Sequence, residues 1–141
     1  MLNEQVRNIM TKDPVVASPE QTIEEVSKIM VERSIQQMPV VEDGKLKGMI
    51  TSHDLWENIQ TGNGNENLHV SDVMTTKVIK ITPIDKVGTA AELFMDKRFK
   101  SLPVVNLRNE LKGVVTAFDL IRHVVKREYP TPILYKEVLA D

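Results

Sequence analysis

The chain has 141 residues, 41% of them hydrophobic and 27% charged, with a formal net charge of −2 and no cysteine. This supports one compact core, gives no general attraction to nucleic acid, and excludes a disulfide scaffold or a thiolate metal site. No apolar run approaches the roughly 18 residues of a bilayer span. Met1-Leu2-Asn3-Glu4-Gln5 lacks the basic start and apolar stretch of a signal peptide, so a cytoplasmic protein is expected.

In chain order, residues 2–10 predict a short helical turn and Val15-Val16-Ala17 a short strand. Thr22 with Glu25 three residues on fits a capping box. Ile23, Val26, Ile29 and Met30 then place one apolar face on a helix to about Glu32. Residues 38–41 and 46–50 predict two strands joined at Asp43-Gly44, a strong hairpin signal. A second helix is expected from Asp54 to Ile59, followed by the polar, glycine-rich connector Thr61-Gly62-Asn63-Gly64-Asn65-Glu66-Asn67.

The same order then returns. Residues 70–74 predict a helical turn with Ser71 or Asp72 available as a cap, and Val78-Ile79-Lys80-Ile81 a strand. A helix starting near Asp85 carries Val87, Ala90, Ala91 and Phe94. A hairpin turns at residues 106–110, and a last helix runs from Asp119 to Val125. The tail after Lys126, with Pro130 and Pro132 ahead of Ile133, Leu134, Val138 and Leu139, has no copy in the first half.

The duplication is visible residue by residue. Asn8-Ile9-Met10-Thr11 matches Asp72-Val73-Met74-Thr75, and Met38-Pro39-Val40-Val41 matches Leu102-Pro103-Val104-Val105, both 64 positions apart. One residue is added after Asn106, so Gly48-Met49-Ile50-Thr51-Ser52-His53-Asp54 matches Gly113-Val114-Val115-Thr116-Ala117-Phe118-Asp119 at 65. A half of roughly 60 residues has a marginal core by itself, so two halves packed face to face are expected rather than an open array. The repeated hydroxyl and carboxylate suggest two related pockets rather than one catalytic centre.

These doubled strings resemble a tandem pair of CBS domains (cystathionine β-synthase domains), often called a Bateman module, over residues 6–60 and 70–126. The resemblance implies an α+β fold: two βαββα repeats packed by their sheets about a pseudo-twofold axis. The implied boundaries are 1–62 for the first repeat, 63–69 for a linker, 70–128 for the second repeat and 129–141 for the tail. It also implies a regulatory module, often a homodimer, that binds an adenosyl ligand (AMP, ADP, ATP, S-adenosylmethionine or NAD) between the repeats and acts on a target protein in trans. No cofactor is required, and neither a membrane nor a nucleic acid partner is expected. The alternative is a ligand-free dimeric adaptor.

An ionised carboxylate can accept from both hydroxyls of a ribose, a task suited to Asp54 and Asp119. A hydroxyl beside free N–H groups at a helix start suits a phosphate oxygen, as for Thr51 and Thr116. The plainer reading of Thr-x-x-Asp is a helix cap with its acid well placed for the macrodipole, and the two readings are compatible. The resemblance implies adenine walls from Val15, Val16, Val78 and Ile79 and from the Pro39 and Pro103 segments.

Lys100 resembles a basic phosphate contact or belongs to a solvated cluster with Lys97 and Arg98; these three cations, against Arg33 alone in the matching stretch 33–37 of the first half, predict unequal clefts. His53 neighbours a phosphate or is a half-exposed helix-start histidine. Trp56 aligns with Ile121 as a self-association face or as core. His69 and His123 have no metal-ligand spacing. With no nucleophile elbow, Walker loop or Gly-x-Gly-x-x-Gly, no enzyme is expected.

Overall fold

A computed structural model describes residues 2–60, 68–96 and 99–128. The connector, Lys97, Arg98 and the tail lie outside the described residues. In the first repeat, helix α1 (Ile23–Arg33) leads into strands β1 (Gln37–Glu42) and β2 (Lys45–Thr51) and then helix α2 (Ser52–Gln60). A short helix α3 (Val70–Val73) opens the second half, followed by α4 (Val87–Phe94), β3 (Ser101–Val105), β4 (Leu111–Thr116) and α5 (Ala117–Glu128). The expected main helices and both hairpins are present, with α2 and α5 starting two residues early and residues 2–10 reduced to a 3-10 turn over Val6–Asn8.

Local chemistry accounts for most boundaries. Thr22 Oγ1 accepts from the Glu25 N–H at 3.1 Å and opens α1, while the Glu25 carboxylate bonds that hydroxyl rather than the Thr22 backbone. Ser34 closes α1 in the left-handed region at φ 53°. Asp43 and Gly44, at φ 53° and 78°, form the two-residue turn between β1 and β2, where the paired positive φ values match the twist of the hairpin. Asp72 is not a cap itself, since its Oδ2 accepts from the His69 N–H at 2.9 Å.

The strands expected at 15–17 and 78–81 shrink to single parallel bridges, Ala17 with Val40 and Ile81 with Val104. The prolines explain this. Ala17 N–H donates to Pro39 O and Val41 N–H to Ala17 O, both at 2.8 Å. Extending the ladder toward Val15 needs an N–H on Pro39, and extending it the other way needs one on Pro19; neither exists. Pro103 and Pro83 stop the Ile81 bridge in the same way.

The two repeats exchange their leading segments. Val70 lies in the first core with Val26, Met38, Val40 and Ile50, whereas Val6 lies in the second with Ala90, Leu102, Val104 and Val115. Val6 N–H donates to Asp85 O at 2.8 Å, and Val70 N–H to Gln21 O at 2.8 Å. Each crossing segment then pairs with the far hairpin: Thr11 with Val114 and Thr75 with Met49. This crossing is why Gly48 and Gly113 are glycines. A Cβ there would sit 2.5 Å from Thr75 O and 2.6 Å from Thr11 O, which are backbone atoms. The hairpin tips also meet, with Leu46 N–H on Asn109 O at 3.0 Å and Leu111 N–H on Gly44 O at 3.1 Å. The result is an α+β pair of repeats related by a pseudo-twofold axis.

Candidate ligand-binding clefts

The repeated Thr-x-x-Asp is a reciprocal cap in both halves. Thr51 Oγ1 accepts from the Asp54 N–H at 3.0 Å, and Asp54 Oδ2 accepts from the Thr51 N–H at 3.0 Å. Thr116 and Asp119 repeat this at 3.0 and 2.9 Å. The cap consumes one carboxylate oxygen and holds the other relative to the strand end. The threonine follows the last apolar residue of its strand, so the β-to-helix change falls at the same place in each half.

The two acids differ in surroundings. Asp54 is half-buried, while Asp119 is 4% exposed and is the one buried charged residue among those described. Thr11 Oγ1, from the exchanged segment, lies 3.4 and 3.3 Å from the two Asp119 oxygens. The Arg122 guanidinium lies 3.6 Å from Oδ1 and 4.8 Å from the centre of the Phe118 ring. A buried carboxylate needs such partners, because isolated ionised burial is costly. At the position matching Arg122 the first repeat has Glu57, which lies 3.2 Å from His53.

Among the described residues, two clefts related by the repeat open between the halves. The larger, of about 610 Å³, has Pro14, Val15 and Pro39 on one side and Val114, Thr116 and Phe118 on the other; small-molecule sites span about 300–1,000 Å³. The smaller, about 170 Å³, is lined by Thr51, Thr75, Lys77, Val78, Ile79 and Phe99. They are pseudo-twofold mates, since Thr11 and Val15 of one answer Thr75 and Ile79 of the other. Gln37, Lys100 and Ser101 border both, and a hydrogen bond from Ser101 Oγ to Gln37 Oε1 forms the partition.

Of the residues singled out above, Val15, Pro39 and Thr116 therefore line the larger cleft, Thr51, Val78 and Ile79 the smaller, and Lys100 both. Asp54 and Asp119 stand behind their threonines. Val16 is exposed and Pro103 is buried within β3, both outside the two linings. His53 also lies outside them, paired with Glu57 and stacked on Trp56 with ring centres 6.4 Å apart.

Sequence reasoning passed over Thr11, Thr75, Asp13, Gln37 and Ser101. The first two carried a signal, since both end the repeated Met-Thr string; the partition residues carried none. Among the described residues, the titratable side chains lining the larger cleft are Asp13 and Lys100, and those of the smaller are Lys77 and Lys100. No three His, Cys, Asp or Glu residues among those described converge as metal ligands. No helix of the described residues is long and apolar enough to cross a membrane.

Comparison with known proteins agrees with this architecture. The family model described as CBS domain matches residues 6–55 and again 70–126. The CBS domain-containing protein YhcV of Bacillus subtilis is 32% identical over 123 residues, covering 87% of each chain. The uncharacterized protein MJ1225 of Methanocaldococcus jannaschii is 31% identical over 132 residues, and the present chain spans only 47% of its length. The solved MJ1225 structure superposes with a TM-score of 0.77 over 86% of this chain and 48% of its own. The CBS domain pair of protein MJ0100, solved in complex with 5′-methylthioadenosine and S-adenosyl-L-methionine, gives a TM-score of 0.75 at 27% identity, covering 88% of this chain and 98% of that one. With two family matches, two exchanged repeats and paired clefts, the chain belongs to the CBS-domain family as a tandem CBS pair.

Proposed function

We propose that this CBS pair is a cytoplasmic regulatory module that binds an adenosyl ligand between its repeats and acts on a partner protein rather than catalysing a reaction. The observation that carries this is the cleft of about 610 Å³ framed by both repeats, with the Thr116 cap at its wall and Asp119 held behind it. The MJ0100 pair was solved with two adenosyl compounds, and that ligand class suits this cleft. Val15 and Pro39 offer apolar walls to adenine. Asp119 accepts from ribose hydroxyls once Thr11 yields, and Thr116 with Lys100 faces the 5′ substituent. In the smaller cleft, Asp54, Thr51, Lys100, Val78 and Ile79 play the matching parts after Phe99 and its neighbours move.

Because both repeats border the cleft, a ligand that fits one inter-repeat arrangement better than another shifts the balance between them, and only by that difference in affinity. A thermal-shift panel of AMP, ADP, ATP, S-adenosylmethionine and 5′-methylthioadenosine tests the reading. At 100 times Kd a ligand adds about 2.7 kcal/mol, which for a domain of this size raises Tm by roughly 5–10 °C. A flat response across the panel sinks it.

A second reading, a dimeric adaptor needing no ligand, is favoured by the exposed apolar residues on the helices. Trp56 is 58% exposed beside Ile59 on α2, and Phe118 is 63% exposed beside Ile121 and Val125 on α5. Exposed apolar patches of this kind mark interaction sites. Sedimentation of the wild type and of Trp56→Glu checks it: a dimer weakened by the substitution supports self-association through this face, and two equally monomeric samples remove it.

A further inference from the structure

We propose that the larger cleft selects an adenosyl ligand whose 5′ substituent is zwitterionic or cationic, in preference to a nucleotide phosphate, and that Asp13 makes the choice. This rests on the adenosyl-binding function proposed above. Position 13 is where the two clefts part company in charge. Asp13 lines the larger cleft, and its pseudo-twofold counterpart, Lys77, lines the smaller. Lys100 borders both. The larger cleft thus presents one carboxylate and one ammonium, whereas the smaller presents two ammonium groups.

Asp13 sits at φ 51°, in the left-handed region between the Thr11 crossing and Pro14, a conformation that aspartate tolerates better than most side chains. Adenosine itself is neutral, so charge discrimination falls on whatever hangs from its 5′ carbon. A phosphate there meets Lys100 favourably but Asp13 unfavourably, and like-charge juxtaposition is a means of rejecting a competitor. A sulfonium amino acid carries a carboxylate for Lys100 and an ammonium and a sulfonium for Asp13. Both charged walls then have a partner. Gln36, Gln37 and Ser34 supply neutral hydrogen-bonding groups around them. Asp13 also borders a shallower depression that holds Arg7, Lys12 and Lys112. If those cations alone occupy Asp13, the larger cleft has no charge preference.

Calorimetric titration of the full chain with S-adenosylmethionine, AMP, ATP and 5′-methylthioadenosine at low salt, repeated on Asp13→Asn and Asp13→Lys, decides between these. The wild type is expected to bind S-adenosylmethionine on the order of tenfold more tightly than AMP or ATP, the size of one charged hydrogen bond. Asp13→Asn removes most of that ratio, and Asp13→Lys reverses it. The uncharged 5′-methylthioadenosine stays within about twofold throughout, which excludes a general effect on the cleft. Tighter binding of AMP or ATP by the wild type overturns the proposal, as does a ratio unmoved in both variants. A folded wild type that binds none of the four overturns the adenosyl function as well. Binding with an unmoved ratio overturns the present proposal and leaves the adenosyl function standing.

Discussion

The two clefts are made by the same backbone device and differ in what fills it. Each is bordered by a proline-limited segment, a crossing threonine and a capped helix start, at positions 64 or 65 apart. Yet one opens to about 610 Å³ and the other to about 170 Å³. Asp119 is buried against Thr11 and Arg122, whereas Asp54 stays half-buried, with His53 and Glu57 paired on the nearby helix face. The difference teaches that the repeated residues hold the frame and the unrepeated ones set its chemistry. Glycine, proline and capping threonine recur because backbone geometry demands them in both halves. Positions 13 and 77, 35 and 99, and 57 and 122 carry no such demand and have diverged.

The largest expected effect tests whether the frames are equivalent. Gly113→Ala and Gly48→Ala each push a methyl group into the backbone of a crossing segment and are expected to lose about 3 kcal/mol apiece in urea unfolding, the upper end for overpacking. Gly44→Ala, with open space but φ 78°, serves as a control expected to lose about 1 kcal/mol from backbone strain. A large gap between the Gly48 and Gly113 variants would break the equivalence.

Next in size, Val6→Ala and Val70→Ala each remove a fully buried side chain, at about 2 kcal/mol. The exchange makes the location informative. Hydrogen exchange in Val6→Ala should speed up most around Val104 and Val115, in the second repeat, rather than in the first repeat that directly follows Val6 in sequence. Acceleration confined to Val26 and Ile50 instead would refute the exchanged packing.

A smaller effect sharpens the inequality of the clefts. Asp119→Asn is expected to weaken the adenosyl ligand about tenfold, roughly one charged hydrogen bond, and Asp54→Asn at most about twofold. Equal losses would mean that both clefts are filled alike.

The smallest effect lies away from the clefts, at the longer turn of the second hairpin. The Asn106 side chain donates to the half-buried Glu110 carboxylate at 2.8 Å and holds its pKa below the ordinary range; desolvation opposes this shift, and Lys112, Arg108 and Lys45 add to it. A carboxylate depressed in the folded state contributes stability that is complete above its unfolded value, about pH 4.3, and fades as pH falls through the lower folded value. NMR titration of the Glu110 side chain should therefore show a midpoint below that of a free glutamate. Asn106→Ala should move it back, while the first hairpin, turning on Asp43-Gly44, shows no counterpart.

How much was legible in the residues varies by element. The helices over 23–33 and 87–94 and both hairpins followed from apolar period, capping and Asp43-Gly44. The Thr-x-x-Asp pairs were readable as caps because a cap is a local contact, three residues long; of each pair, the threonine lines a cleft and the aspartate stands behind it. The short strands at 15–17 and 78–81 were overread. Their β-branched residues favour a ladder, but the prolines that stop it lie on a neighbouring strand as well as on the segment itself.

By itself, the order of residues determined the duplication, the kinds of element and the repeated polar pair, since each depends on neighbours within a few positions. Only the tertiary structure decided which half's turn enters which core, that Thr11 reaches a carboxylate 108 residues away, and that Asp13 and Lys100 line one cleft while Lys77 and Lys100 line the other. Those outcomes depend on how two marginal half-cores close over each other's leading segments, and no periodicity within a half carries that information.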